Sequence, residues 1–283
     1  MPPYHRSMLL LVDLDGVVYR GHLPVPGVAE VIQRRAAAGD RIVYVTNNSR
    51  SHRDEYHARL TRMGVPLAGE ASIVTAARAA ALWLVEQRPR PRTAMVFGGP
   101  GLARELRDAG LRTVAATERG LAQAPDVLVV GVDFSLTYGR LSVAAEAVRR
   151  GARFVATNRD PVYPAADRLT AGAGAMVAAV AAAAGREPDI VIGKPESRLF
   201  EAAAEEAGVP VAEAIVIGDN LLTDIAAAAA VGARSILMLT GVTSAQEAAA
   251  IDGPIRPTAL AHDAAELESR LAELAGQPRG PAA

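Results

Sequence analysis

The run Met8-Leu-Leu-Leu-Val12, followed at once by Asp13-Leu14-Asp15-Gly16, is the feature that most restricts how this chain can fold. Five consecutive apolar residues leave no polar face, so the segment reads as a strand covered on both sides, the kind found inside parallel α/β sheets. Alternate residues of a strand share a side, so Asp13 and Asp15 can face one small volume just beyond the strand end. In open parallel sheets that volume is where ligands bind. Asp-x-Asp-Gly alone also suits an ordinary turn, and the choice depends on what the other strands carry.

The same grammar recurs along the chain. Val28 to Ala38 has a helical apolar pattern closed by Gly39, and Arg41 to Val45 reads as a second buried strand ending in Thr46-Asn47-Asn48-Ser49. Helices are expected over Ser51 to Met63 and Thr75 to Gln87. The prolines and like charges of Arg88 to Arg92, RPRPR, suit a hinge or linker. A new series follows: strand Thr93 to Phe97, helix Gly101 to Ala109, strand Val127 to Val132, helix Leu136 to Arg150 and strand Arg153 to Thr157. A long loop, Asn158 to Gly174, and an alanine-rich helix, Ala175 to Ala184, then lead to a second linker at Gly185 to Pro188. The first series resumes with a strand at Asp189 to Ile192 before Gly193-Lys194-Pro195, helix Glu196 to Ala207, and strand Ala214 to Ile217 before Gly218-Asp219-Asn220-Leu221-Leu222-Thr223-Asp224. Strand Ser235 to Leu239, a helix near Ala245 to Ile251, a short strand around Thr258 to Leu260 and helix Ala264 to Ala275 complete it, and the tail GQPRGPAA is expected to be disordered. The expected organisation is a core formed by residues 1–88 and 189–283, with residues 89–188 inserted as a smaller α/β domain.

Composition excludes several function classes. A net charge of −1 offers no long-range field for nucleic acid or an acidic membrane. The chain has no cysteine, so neither disulfides nor thiolate-metal sites arise, and its five histidines lack a metal-ligand spacing. Met-Pro-Pro-Tyr-His-Arg-Ser before so short an apolar run is neither a signal peptide nor a span, and a cytoplasmic address is expected.

Four polar clusters, with Asp13 and Asp15, Thr46 and Asn47, Lys194, and Asp219 and Asp224, each follow an apolar strand of what is expected to be one sheet. Parallel strands joined by right-handed crossovers deliver such clusters to one edge. Like charges about 4 Å apart repel by roughly 4 kcal/mol at an effective dielectric near 20, so converging carboxylates need a cation. Oxygen-only ligands point to Mg²⁺. Lys194, Thr46 and backbone N–H groups then suit an anion with several oxygens, such as phosphate. Asp13 is the candidate nucleophile and Asp15 the candidate acid and base.

DLDGVVYRG, VTNNSR, GKP and GDNLLTDI, in that order, resemble motifs I to IV of the haloacid dehalogenase (HAD) superfamily, and more narrowly its 4-nitrophenylphosphatase/NagD-like branch. The resemblance implies a doubly wound, Rossmann-like α/β core with a large inserted α/β cap, and a phosphatase acting on a small phosphorylated metabolite. It implies that Asp13, Asp15 (through its backbone carbonyl) and Asp219 bind Mg²⁺, with Asp224 and Asn220 supporting them. It further implies that Thr46, Asn47, Asn48 and Lys194 bind phosphate. Pro195 is expected in the first turn of a helix that holds Lys194 at a positive dipole end. Substrate choice falls to the cap, where Asn158 to Thr170 resembles the substrate-specificity loop. Tyr163 stands where the pyridoxal-phosphate members have a histidine, and Arg159 and Asp160 are neighbouring contacts. The family also implies a homodimer through the caps.

Dehalogenating members lack the second aspartate of motif I, which favours phosphoryl transfer here. The alternatives are a phosphotransferase or mutase on the same fold, a non-catalytic metabolite-binding relative, and a receiver-type signalling domain. The last is much shorter than this chain and has no cap.

Overall fold

The computed structural model describes residues 7–67, 72–164, 168–251, 253 and 255–276. His5 and most of the two termini lie outside them, as do residues 165–167 of the expected specificity loop. The chain divides into two compact units. One comprises Met1–Thr46, Tyr56–Val74 and Lys194–Ala283, and the other Asn47–Glu55 and Thr75–Gly193. The expected boundaries fell at 89 and 188; the contact-defined seams fall at Thr75 and Gly193, and the segment after Thr46 groups with the insertion.

The first unit is built on a six-stranded sheet in the order Ala259–Ala261, Arg234–Met238, Ile215–Gly218, Leu9–Asp13, Arg41–Thr46, Ile73–Thr75. Leu9–Asp13 is central and wholly buried, and it pairs in parallel with Ile215–Gly218 on one side and Arg41–Thr46 on the other. Leu10 and Val12 enter a cluster with Val28, Ile32, Leu267 and Leu271. Leu9 and Leu11 point to the opposite face, where helix Arg198–Ala207 packs against the strand. Helices on both faces explain why this strand has no polar side. The strand order runs outward in both directions from Leu9–Asp13, so its carboxyl end is a topological switch point.

The second unit holds a five-stranded parallel sheet in the order Ile190–Val191, Arg153–Ala156, Val127–Val130, Thr93–Phe97, Arg112–Ala115. Helices Tyr138–Arg149 and Ala173–Ala184 pack with it around Phe97, Leu128 and Phe154. Arg112–Ala115 and Ile73–Thr75 were not anticipated; both are too short to show a period, and Arg112–Ala115 buries only Val114 fully. After Thr157, Val162–Pro164 pairs antiparallel with Leu169–Ala171. Arg88 to Arg92 is neither helix nor strand.

Two expectations about Lys194 need correction. The strand before it belongs to the second sheet, not the first: Asp189 N donates to Phe154 O at 2.8 Å, and Gly193 N donates to Thr157 O at 2.8 Å. Pairing with Arg153–Ala156 thus continues until the residue before Lys194. Nor does Pro195 open a helix, since Lys194 and Pro195 lie in a turn and the helix begins at Arg198. Among the described residues no helix is long and apolar enough to cross a membrane.

Leu10 is fully buried on the central strand. Leu10→Ala is therefore expected to cost about 2–5 kcal/mol, read as a lower urea midpoint at unchanged slope; a loss below about 1 kcal/mol would contradict this packing.

Candidate active site

Within the first unit, three strands end at the same edge carrying polar groups. Asp13 terminates Leu9–Asp13 in register with Val45, so Thr46 lies one residue further along the neighbouring strand. Ile215–Gly218 delivers Asp219 from the other side. Asp13, Thr46, Asp219, Asp224 and Lys194 are all buried. One carboxylate oxygen from each of Asp13, Asp219 and Asp224 lies within 4.8 Å of the others. Lys194 Nζ donates to Asp13 Oδ1 and, at 2.6 Å, to Asp224 Oδ1. The lysine arrives from a different strand context than expected, yet it reaches the same cluster.

Asp224 is placed by its local backbone. Leu221–Ile225 forms a single π-helical stretch, and Asn220 N donates to Asp224 Oδ2 at 3.1 Å, which turns the carboxylate back toward the strand end. Asp219 is held by a loop that the sequence reading passed over. Val242 N donates to Asp219 Oδ2 at 2.6 Å, and Thr243 N to Asp219 O at 3.1 Å. Thr240 Oγ1 donates to Gly16 O at 2.6 Å, tying this loop to the turn after Asp13. The signal was available: Thr240-Gly241-Val242-Thr243 follows the apolar strand Arg234–Met238 just as the other polar clusters follow theirs.

Three glycines make room for these carboxylates. A Cβ on Gly16 would lie 2.3 Å from Asp219 Oδ2, one on Gly241 1.8 Å from the same atom, and one on Gly218 2.2 Å from Asp224 Cβ. Gly16 also has φ +87°, which L side chains rarely adopt.

Three carboxylates face one ammonium, and the imbalance shows in their ionisation. Burial pushes the Asp219 carboxyl up to about 7, aided by Asp224 and opposed by the Val242 N–H and Lys194. Burial likewise raises Asp13 well above the usual carboxylate range, with Lys194 pulling it down and Asp224 and Asp219 pushing it up. Burial alone would depress Lys194, but Asp13 and Asp224 outweigh it and keep the ammonium charged. A donor set of buried carboxylates with excess negative charge and no sulfur or imidazole fits a hard divalent cation.

Asp15 sits differently. Its side chain reaches solvent, outside the cluster of Asp13, Asp219 and Asp224, and partial burial raises its pKa while Arg59 and a hydrogen bond at Gly21 lower it. Arg59 is itself fixed over the Tyr19 ring, 3.6 Å from its centroid, and donates to Gly21 O. Its role had no sequence signal, because it is brought to Asp15 only by the fold.

In the second unit a separate polar cluster joins Asn47 and Asn48 to the expected specificity loop. Asn47 Nδ2 donates to Asp160 Oδ1 and Oδ2 at 3.2 and 3.1 Å, Asn48 Nδ2 to Tyr163 Oη at 3.1 Å, and Asn158 Nδ2 to Asn47 O at 2.7 Å. Tyr163 meets Phe134 edge-on at 5.5 Å, and the Arg50 guanidinium lies 4.6 Å from the Phe134 ring centre. Phe134 and Arg50 were not singled out beforehand. Arg159 is not part of this cluster; it is exposed and pairs with Glu187 at 2.8 Å.

Residues 10–112 match the family model described as haloacid dehalogenase-like hydrolase, and residues 191–267 match a second one, HAD-hydrolase-like. The chain is 37% identical over 271 residues to the D-glycerol 3-phosphate phosphatase of Mycobacterium tuberculosis, covering 95% of this chain and 74% of the relative. A structure of glycerol phosphate phosphatase from that organism in complex with magnesium is similar at a TM-score of 0.82 and 36% identity, over 92% of this chain and 76% of that one. NagD from E. coli K-12 is similar at 0.81 and 29% identity, over 92% and 98% of the two chains. The chain belongs to the haloacid dehalogenase superfamily. Within it, the chain falls in the NagD-like phosphatase branch, on an α/β Rossmann-like core.

Lys194 separates buried carboxylates that would otherwise repel. Lys194→Met is expected to lower the stability of the metal-free protein by roughly 3–5 kcal/mol; a urea midpoint that barely moves would show that the lysine does not balance the cluster.

Proposed function

We propose that this chain is a Mg²⁺-dependent phosphomonoester hydrolase that acts on a small phosphorylated metabolite through an aspartyl-phosphate formed on Asp13. The observation that carries the reading is the buried set of Asp13, Asp219 and Asp224 with Lys194 set against it. Asp13, the backbone carbonyl of Asp15, and Asp219 would hold Mg²⁺, with Asp224 and Asn220 positioning the others. When bound, the ion neutralises charge that would repel a carboxylate nucleophile from a phosphate dianion.

Asp13 supplies an oxygen to phosphorus as the bond from phosphorus to the leaving oxygen breaks. Lys194 favours the ionised form of Asp13, aims it, and places a positive charge beside the incoming phosphate. Thr46, Asn47 and Asn48 supply further donors. Asp15, with its raised pKa, gives its proton to the departing oxygen, then takes one from the water that attacks phosphorus and releases phosphate and Asp13. Asp160 and Tyr163, already bonded to Asn47 and Asn48, read the rest of the substrate. The substrate class covers phosphoglycolate, glycerol phosphate, nucleotide and sugar phosphates, and the name of the M. tuberculosis relative supports glycerol phosphate as the first to try.

A panel of these phosphomonoesters, assayed for phosphate release with and without Mg²⁺, tests the reaction. Mg²⁺-dependent release concentrated on one compound is expected, and Asp13→Asn should reduce it by at least about 10³-fold. No release from any of them, 4-nitrophenyl phosphate included, would bring the phosphotransferase or mutase reading forward.

Gly241→Ala addresses the metal separately. The added Cβ displaces the Asp219 carboxylate, so the variant should stay folded while the Mg²⁺ concentration giving half-maximal activity rises about tenfold or more. An unchanged Mg²⁺ requirement would argue against Asp219 as a ligand.

A further inference from the structure

The proposed reaction leaves one feature of the inserted unit unused. A groove of about 510 Å³ is lined by Leu84, Arg88, Arg90, Arg92, Asp126 and Arg153. It lies at the amino ends of parallel strands, since Arg92 precedes Thr93–Phe97, Asp126 precedes Val127–Val130, and Arg153 opens Arg153–Ala156. Asn158, Asp160 and Tyr163 follow the carboxyl end of that last strand, so the groove and the specificity residues occupy opposite edges of this sheet.

Four guanidinium groups and one carboxylate leave a local excess of three positive charges in a chain whose net charge is −1. The carboxylate is engaged with the main chain: Asp126 Oδ2 accepts from Arg92 N at 2.7 Å and Thr93 N at 2.9 Å. Among the described residues no carboxylate pairs with Arg88, Arg90, Arg92 or Arg153. Their partners are neutral. Arg88 NH1 donates to Val85 O, Glu86 O and Gln87 O at 3.2, 2.9 and 2.9 Å. Arg90 NH2 donates to Ala109 O at 2.9 Å. Arg153 NH1 donates to Gln87 Oε1 at 2.9 Å, and its guanidinium lies 4.4 Å from the Trp83 ring centre. These contacts orient the heads without neutralising them, and each fork keeps N–H donors to spare.

Complementing helix C-termini accounts for Arg88 and Arg90, but not for Arg92 and Arg153 lining the same volume. Guanidinium forks match phosphate oxygens two at a time. A single phosphate monoester carries about −2 at neutral pH, less than the local excess, whereas linked phosphates carry more. We propose that this groove binds a polyphosphate anion, with two or more linked phosphate groups, at a second site separate from the carboxylate cluster.

Trp83 is the chain's only tryptophan, so its fluorescence reports on the groove. The full chain, free of Mg²⁺, is titrated with inorganic triphosphate, inorganic pyrophosphate and adenosine diphosphate. A saturable change in emission is expected, weakened roughly tenfold in Arg92→Gln and retained in Asp13→Asn. Arg92 makes no side-chain hydrogen bond among the described residues, so Arg92→Gln should keep both its fold and its turnover of 4-nitrophenyl phosphate. Tighter binding of adenosine diphosphate than of pyrophosphate would name a nucleotide as the source, and the reverse a free polyphosphate; both support the proposal. No saturable response at millimolar anion, an equal response in Arg92→Gln, or one abolished by Asp13→Asn would each overturn it.

Discussion

The rest of the first unit is arranged around Lys194 Nζ lodged between Asp13 and Asp224. Burying a carboxylate is costly unless a charge or hydrogen bonds compensate it. Here one ammonium serves two carboxylates directly and a third, Asp219, leans on backbone N–H groups. The cluster remains short of positive charge, which is why burial drives Asp13 and Asp219 toward protonation. Such a deficit is a poor device for stability alone. On the proposed reading it is relieved by the cation and redirected toward a phosphate, so a thermodynamic liability of the isolated chain becomes the driving force for assembling the site.

Much of this arrangement could be read from the sequence because a buried parallel strand has a strong signature and ends abruptly. Leu9–Asp13, Arg41–Thr46 and Ile215–Gly218 all show it, and Asp13, Thr46, Asp219 and Asp224 are buried at or just beyond their ends, whereas Asp15 is exposed. Legibility failed where pairing depends on distant partners. Ile190–Val191 is a two-residue, half-exposed edge strand, and nothing local distinguishes joining one sheet from joining the other. Its neighbour is decided by Asp189, which exchanges hydrogen bonds with Phe154 through both its backbone and its carboxylate. Arg59, Phe134 and Arg50 were invisible for a related reason: each acts through a ring or a carbonyl that lies far away in sequence or only becomes adjacent on folding.

The segment after Thr46 has a divided allegiance that matters for specificity. Thr46 closes a strand of the first sheet, whereas Asn47 and Asn48 bond to Asp160, Asn158 and Tyr163 of the inserted unit. These hydrogen bonds fix Asn47 and Asn48 to the loop that follows Thr157, so the two segments are positioned together.

Glycine placement sets how much room the clustered carboxylates have. Asp219 is approached from two sides by Gly16 and Gly241, and Asp224 by Gly218, each close enough that a single Cβ would collide with the aspartate. The turn carrying Gly16 is fastened to the loop carrying Gly241 by the Thr240 hydroxyl. Two chain segments more than two hundred residues apart therefore clamp one carboxylate by close backbone approach, and the hydrogen bond from Val242 sets which way its oxygens point. Precision at Asp219 comes from the absence of side chains on the two glycines beside it, a constraint that acts on the neighbours rather than on the aspartate itself.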